Sequence, residues 1–305
     1  TMGTTWSAKL VGPGTNQLAA KLQDRLDELE ALLSTYRADS QVSRFNASGS
    51  TDWFAVSTET AFIVAEGLRI SAASDGAFDM TVGPLVDLWG FGPDGEPGSI
   101  PEAAEIEQRL AQGGYRGLEA RLAPPAIRRT RPGLRVDLSA IAKGYAVDAL
   151  CELLDAAGIE AYMIEVGGEI RTRGRRPDGR QWQIALERPV AGAREVRRVV
   201  GLSDRAVATS GDYRNFFETS GRRYSHAIDP RTGRPVTHRV GAVSVIDQSA
   251  LRADAWATAL MVLGADEGLA VANREGVAAS LVLRTADGFE ARDSEAFAAL
   301  ALPDD

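Results

Sequence analysis

Histidine and cysteine are almost missing from this chain: 305 residues contain two histidines, His226 and His238, and one cysteine, Cys151. A single cysteine excludes an internal disulfide and any cysteine-built zinc cage. It falls in the helical pattern AVDALCELLDAAG and reads as a small packed side chain. No apolar run approaches the roughly 20 residues that cross a bilayer. The opening TMGTTWSAKLV has neither the basic start nor the apolar stretch of a signal peptide, so no export signal is expected in this chain. Repeats at solenoid spacing and low-complexity tracts are also missing. Positive charge is in short supply, with 34 Lys and Arg against 42 Asp and Glu and a net charge of −8. That excludes a broad nucleic-acid surface and means that an anionic ligand must meet a local basic group or a metal ion. The usual phosphate and hydrolase signatures are not there either: no G-x-G-x-x-G follows a strand, and G-x-x-x-x-G-K-[ST], G-x-S-x-G and H-E-x-x-H do not occur.

Strand and helix patterns interleave along the rest. TTWSAKLV predicts a first strand. QLAAKLQDRLDELEALLSTY follows with Leu18, Leu22, Leu26, Leu29 and Leu33 on one helical face. TETAFIVAEGLRISAAS predicts a helix capped at Ser57 or Thr58, and EAAEIEQRLAQGG another after Pro101. LRVDL predicts a short strand running into the helix SAIAKGYAVDALCELLDAAG, with Ser139 as its cap. AYMIEVGG, QWQIALE, REVRRVVGL, RAVATS and GAVSVIDQ predict strands. DYRNFFET and RRYSHAI predict a hairpin across Ser220-Gly221, and VAASLVLRT with GFEARD another. SALRADAWATALMVLG predicts a helix capped by Ser249, followed by EGLAVANREG. The expectation is an α+β fold of largely antiparallel sheets with flanking helices, one unit over 1–305 with room for two lobes.

Several stretches carry candidate chemistry, each with a plainer alternative. Asp254 and Thr258 are four apart on a predicted helix and share a face. Carboxylate and hydroxyl are hard ligands for magnesium or calcium, but such a pair also makes an ordinary polar face. VDLSAIAKGY sets Asp137, Ser139 and Lys143 at a helix start, either an anion site or a capped amphipathic helix. GAFDMTVGPLVDLWGFG surrounds Asp79 with aromatics, either a wall for a flat heterocycle or core rings. Gly167-Gly168 in EVGGEIRTRG allows a phosphate to approach the backbone, or simply turns the chain. His226, at the lip of a turn in YSHAIDPRTGRPV, is a proton acceptor near neutral pH or a structural loop residue.

Taken in order, MGTTW, LSTYRADSQVSRFN, GAFDMTVGPLVDLWGFG, VDLSAIAKGYAVD, EVGGEI, ATSGDYRNFF, YSHAIDPRTGRPV and RADAWATALMVLG resemble the ApbE-type FAD:protein FMN transferases, from Met2 to about Gly264. The resemblance implies an enzyme that splits FAD with Mg2+, transfers FMN to a threonine of an acceptor protein and releases AMP. Acceptors of the family include subunits of membrane redox complexes, and its members are usually periplasmic and often tethered as lipoproteins. On that resemblance Asp254, Thr258 and the carbonyls of Ala140 and, more weakly, Ala257 hold the metal. Met2, Tyr36, Ala77, Phe78, Asp79, Asp137, Lys143 and Ile228 contact FAD, and His226 of the H-x-x-D-P motif is the base; His238 keeps a structural role. Met80 stands where the family commonly has proline, so a less rigid local backbone is expected. The alternatives are a magnesium-dependent FAD pyrophosphatase yielding FMN and AMP, a flavin carrier without turnover, and self-modification at Thr209 in DRAVATSG.

Overall fold

A seven-stranded antiparallel sheet runs through the computed structural model, which describes residues 2–12, 17–92, 95, 98–190, 192, 195–213, 215–219 and 222–300. Its strands lie side by side in chain order: Trp6–Val11, Ala161–Val166, Glu169–Arg173, Ala206–Gly211, Val240–Asp247, Ala278–Thr285 and Gly288–Asp293. Register is set at Trp6↔Val166, Val166↔Glu169, Ile170↔Val207, Val207↔Ile246 and Ile246↔Ala278. The strand Val240–Asp247 is buried at all but its last residue, because both faces of the sheet are covered. On one face lie the helices Leu18–Leu33, Ala142–Ala156 and Ala250–Leu263, whose apolar sides join the sheet in the main core. On the other, the hairpin Trp182–Glu187 and Val196–Leu202 packs Trp182, Ile184 and Val200 against Val207 and Ile246. Among the described residues no helix is long and apolar enough to cross a membrane.

Local sequence chemistry accounts for most of the element ends. The five leucines expected on one face, Leu18, Leu22, Leu26, Leu29 and Leu33, are all buried, and Leu32 is partly buried beside them. Ser57, rather than Thr58, caps Thr58–Ala73 by accepting from Thr60 N at 3.1 Å, and Ser249 accepts from Arg252 N at 3.3 Å. Pro101 lies one residue before the cap of Ala103–Gln112, where Glu102 and Glu105 form a reciprocal capping box. Cys151 is buried and burial pushes its thiol up to about 12, as suits a packing residue.

Three expectations need correction. LRVDL is not a strand, and Ser139 does not cap the helix, which starts at Ala142. No neighbouring strand bonds Val136. Instead the Asn46 amide takes both of its backbone groups, accepting from Val136 N and donating to Val136 O, each at 2.8 Å. Asp137 N donates to Met80 O at 2.7 Å. Among the described residues the segment thus joins no sheet. The hairpin Phe216–Thr219 with Arg222–Ser225 forms with Phe217 opposite Tyr224, but it ends before His226; its expected turn at Ser220-Gly221 lies outside the described residues. The patterns also passed over the helices Gln41–Ser48, Gly83–Leu88 and Glu295–Ala298, and the small sheet of Phe54–Ala55, Leu118–Leu122 and Pro125–Arg129. All are short, and their burial comes from distant partners rather than from a local period.

Candidate active site

Two helices that start far apart in the chain meet at their first turns. Gly144, in the first turn of Ala142–Ala156, touches the start of Ala250–Leu263 so closely that an added Cβ would lie 2.3 Å from Ala250 O and 2.8 Å from Asp254 Cβ. The freed backbone of each helix start is capped by the other helix. Gly144 N donates to Asp254 Oδ2 at 3.0 Å. In return, Asp148 Oδ1 accepts from Ala250 N at 2.9 Å, and its Oδ2 accepts from Ser249 Oγ at 2.7 Å and Leu251 N at 3.0 Å. Arg171 from the sheet completes the Asp148 carboxylate at 2.5 Å. Asp148 was not singled out from sequence; its only signal there is its place in the KGYAVD segment.

This contact brings the metal candidates together. Asp254 is 3% exposed, and its Oδ1 stands 3.6 Å from Lys143 Nζ. Thr258, one turn on, shares the face, with its hydroxyl 3.2 Å from Ser210 Oγ. Ala140 and Thr258 line one small cavity. Because Gly144 N is committed to Asp254, the Ala140 carbonyl is released from the helical i→i+4 ladder. Ala257 is fully buried inside its helix, where the ladder claims its carbonyl, which makes it the poorer donor. Glu169, 4% exposed, faces Lys143 at 3.5 Å, and its Oε2 is buried without a hydrogen-bond partner. Two buried carboxylates therefore share one ammonium. Burial pushes the Glu169 carboxyl up, with the charge of Asp254 adding to it and Lys143 opposing it; the two carboxylates in turn hold Lys143 raised against the opposing effect of its burial. Among the described residues no three His, Cys, Asp or Glu side chains gather as a cage. The donors are oxygens, few in number, with negative charge in excess and an unpaired buried oxygen nearby. That set fits magnesium, which keeps water and ligand oxygens for the rest of its shell.

Most of the FAD candidates, though not Met2 or Lys143, fall along two cavities that meet at Asp137. The small one is lined by Ala77, Phe78, Asp79, Asp137 and Ile228 together with Ala140 and Thr258. The larger, of about 240 Å³, is lined by Tyr36, Asn46, Gly83, Pro84, Asp87 and Asp137, among others. Tyr36 stands 74% exposed at its rim. The Asp79 carboxylate is committed within the protein: Oδ1 accepts from Thr81 N and Oγ1 at 2.7 Å, and Oδ2 from Tyr115 N at 2.8 Å. What Asp79 offers a ligand is thus mainly backbone, and these bonds pin the loop; burial raises its carboxyl against their effect. Met80 is buried against Gly67, and its carbonyl is held by Asp137 N, so tertiary contacts brace the backbone where a proline is missing. Of the two open readings for this segment, burial favours core rings at Trp89, whose Nε1 donates to Gly233 O at 2.8 Å, while Phe78 is buried and also lines the small cavity. Met2, with φ of 51°, packs on the main core and lines neither cavity.

His226 is partly buried beyond the hairpin end. Its Nδ1 lies 3.0 Å from the carbonyl of Asn215. A carbonyl only accepts, so Nδ1 carries the proton and Nε2 keeps its lone pair. Burial lowers the ring's pKa below 6.5, against the bond to Asn215 and the charge of Asp212, and Lys143 lowers it further. Ile228 and Pro230 line the small cavity, so the segment that follows His226 runs along the same cavity as Ala140 and Thr258. Rings stack beneath it: Trp89 on Tyr224, Tyr224 on Phe217, Phe217 on Phe91, with Phe91 edge-on to His226 at 6.3 Å. His238 is structural, as expected, with Nε2 donating to Met261 O at 2.8 Å and Nδ1 accepting from Val240 N at 3.3 Å. Thr209 is paired with Ser244 inside the sheet at 2.8 Å.

Known proteins share this arrangement of chain. The sequence model of the ApbE family matches residues 2–281. A curated relative from Vibrio cholerae, named FAD:protein FMN transferase, is 45% identical over 301 residues, 97% of this chain and 90% of the relative. One of the same name from Escherichia coli K12 is 42% identical over 295 residues, 95% of this chain and 84% of the relative. A solved structure described as the flavin transferase ApbE from Vibrio cholerae superposes with a TM-score of 0.90 at 44% identity, covering 98% of this chain and 96% of that one.

Proposed function

The chain belongs to the ApbE family, and we infer from that premise that it is an FAD:protein FMN transferase, an enzyme that takes the FMN half of FAD and places it on an acceptor protein. The observation that carries the reading is the meeting of Asp254, Lys143 and Glu169 beside a cavity lined by Ala140, Thr258, Asp137 and Ile228, with the His226 segment along it. FAD brings a pyrophosphate to a protein that is itself acidic, so cationic help has to be local.

The acceptor group is a threonine hydroxyl. Its oxygen bonds to the FMN phosphorus, the P–O–P bridge breaks, and AMP leaves with the bridging oxygen. The hydroxyl proton goes to His226 Nε2, which is neutral and aimed by the bond from Nδ1 to Asn215 O. Asp254 and Thr258, with the carbonyl of Ala140 and more weakly that of Ala257, would hold Mg2+. When bound, that ion supplies positive charge to the pyrophosphate and to the departing AMP. Lys143 adds a fixed positive charge at the same place. Asp137 and the backbone of Ala77, Phe78 and Asp79 position the flavin nucleotide, and Tyr36 offers its exposed ring at the mouth of the larger cavity. The acceptors proposed are flavoprotein subunits of membrane redox complexes. The proposed compartment is the periplasm or the cell-envelope side, supported by the family reading; fractionation of native cells tests it, and cytoplasmic recovery overturns it.

The activity test mixes the protein with FAD, Mg2+ and an acceptor domain, and follows AMP release and covalent flavin fluorescence on a denaturing gel. Equal amounts of both are expected. AMP without bound flavin would assign the site to FAD hydrolysis instead, and neither product would leave a flavin carrier.

A further inference from the structure

Glu169 has no part in the chemistry above, yet it is among the most constrained groups of the site. It is the first residue after the Gly167-Gly168 turn, buried, with Oε2 unpartnered. A buried carboxylate oxygen left without a partner is costly, so its presence calls for a compensating task. Its other oxygen faces Lys143, and the geometry of that lysine is unusual. The ammonium lies 3.5 Å from Glu169 Oε1, 3.6 Å from Asp254 Oδ1 and 3.4 Å from Ser139 O. All three distances exceed the 2.7–2.9 Å typical of a charge-assisted hydrogen bond. Lys143 is therefore suspended between the two carboxylates and committed to neither. The turn makes space for it: a Cβ on Gly167 would lie 3.1 Å from Lys143 Cδ.

Asp254 has two claimants, the ammonium of Lys143 and a divalent cation, and two cations on one carboxylate repel each other at short range. We propose that Glu169 is a positioning residue that takes up Lys143 when a divalent cation occupies Asp254, so that the cation and the lysine are held side by side. Without it, Lys143 closes onto Asp254 and competes with the cation for the carboxylate. With it, a small rotation of the lysine toward Glu169 frees Asp254 and keeps the ammonium next to the pyrophosphate.

This inference rests on the reading of Asp254 as a cation ligand. The test is Mn2+ binding to the purified full chain without FAD, at one neutral pH, by electron paramagnetic resonance. Glu169→Gln is expected to weaken Mn2+ binding by about tenfold or more, the range of outer-layer substitutions at metal sites. In the Lys143→Met background, with no competing ammonium, the same substitution is expected to cost less than about threefold, since the coupling partner is gone. Equal losses in the two backgrounds, or no loss in the first, overturn the proposal. If Glu169→Gln does not fold, Glu169→Asp is measured in the same two backgrounds; it draws the carboxylate back from Lys143, and the same ordering of losses is expected. Asp254→Ala separates the two readings. If it binds Mn2+ like the wild type, the cation site itself falls and the proposal with it. If it loses Mn2+ while Glu169→Gln does not, only the proposal falls.

Discussion

At the scale of single residues, His226 shows how a scarce side chain gains a role from its surroundings. The bond to Asn215 O assigns the tautomer, and burial lowers the pKa from 6.5. His226→Ala is therefore expected to slow transfer by about 10²- to 10⁴-fold, the usual contribution of a positioned base, with FAD affinity little changed. Comparing single-turnover flavinylation with FAD titration checks this, and wild-type transfer rates would remove His226 as the base. The pH dependence follows from the direction of the shift. The neutral ring persists below pH 6.5, so the acid limb of kcat/KM is expected below 6.5 and should vanish in the alanine variant. For stability, the buried neutral ring contributes above its unfolded value, and that contribution is lost as pH falls through the lowered folded value. His226 was legible from the H-x-x-D-P motif, but Asn215 was not, because it comes to the ring only through the pairing of a hairpin. Asp79 went the other way: the motif named it, while its hydrogen bonds show a carboxylate spent on holding its own loop.

At the scale of elements, the site depends on two helix starts that cap each other through Asp254 and Asp148. Asp148→Asn leaves Arg171 without its counter-charge and weakens the acceptors for Ala250 N and Leu251 N. A loss of about 1–3 kcal/mol is expected, within the range for a buried hydrogen-bonded charge, together with weaker divalent-cation binding. Thermal denaturation and Mn2+ titration read the two effects, and an unchanged melting temperature would show that the cap is dispensable. Gly144→Ala is a sharper intervention. Its Cβ has no room at 2.3 Å from a backbone oxygen, so the helices must separate, at a cost of about 1–3 kcal/mol. Metal-dependent turnover is expected to fall further than folding does, and a fully active alanine variant would contradict the close approach. Both helices were legible from their periodicity, and Ser249 from its capping chemistry. Their mutual capping was not, since neither aspartate lies near the other helix in sequence. The same limit explains LRVDL: its pattern suits a strand, but Asn46 supplies the bonds that a neighbouring strand would have made.

At the scale of the whole molecule, the two largest cores lie on the two faces of the sheet and the proposed cation site sits at one end of a helix pair, so folding is expected not to hinge on a bound cation. Chelation of divalent cations is accordingly expected to stop FMN transfer while leaving the far-ultraviolet circular dichroism spectrum unchanged, unlike small domains that unfold without their metal. Loss of secondary structure on chelation would place the cation in the fold itself. The sequence by itself determined the α+β class, the leucine face of the first helix, most strands of the antiparallel sheet, and through eight ordered motifs the family. These follow from periods of two and 3.6, from caps, and from short patterns, all of which act within a few residues. Only the tertiary structure decided that Lys143 hangs between Asp254 and Glu169, that Asp148 anchors the helix carrying Asp254, and that Phe78 and Trp89 are buried. Charge and burial depend on distance in space, and folding brings together groups that the chain keeps a hundred residues apart.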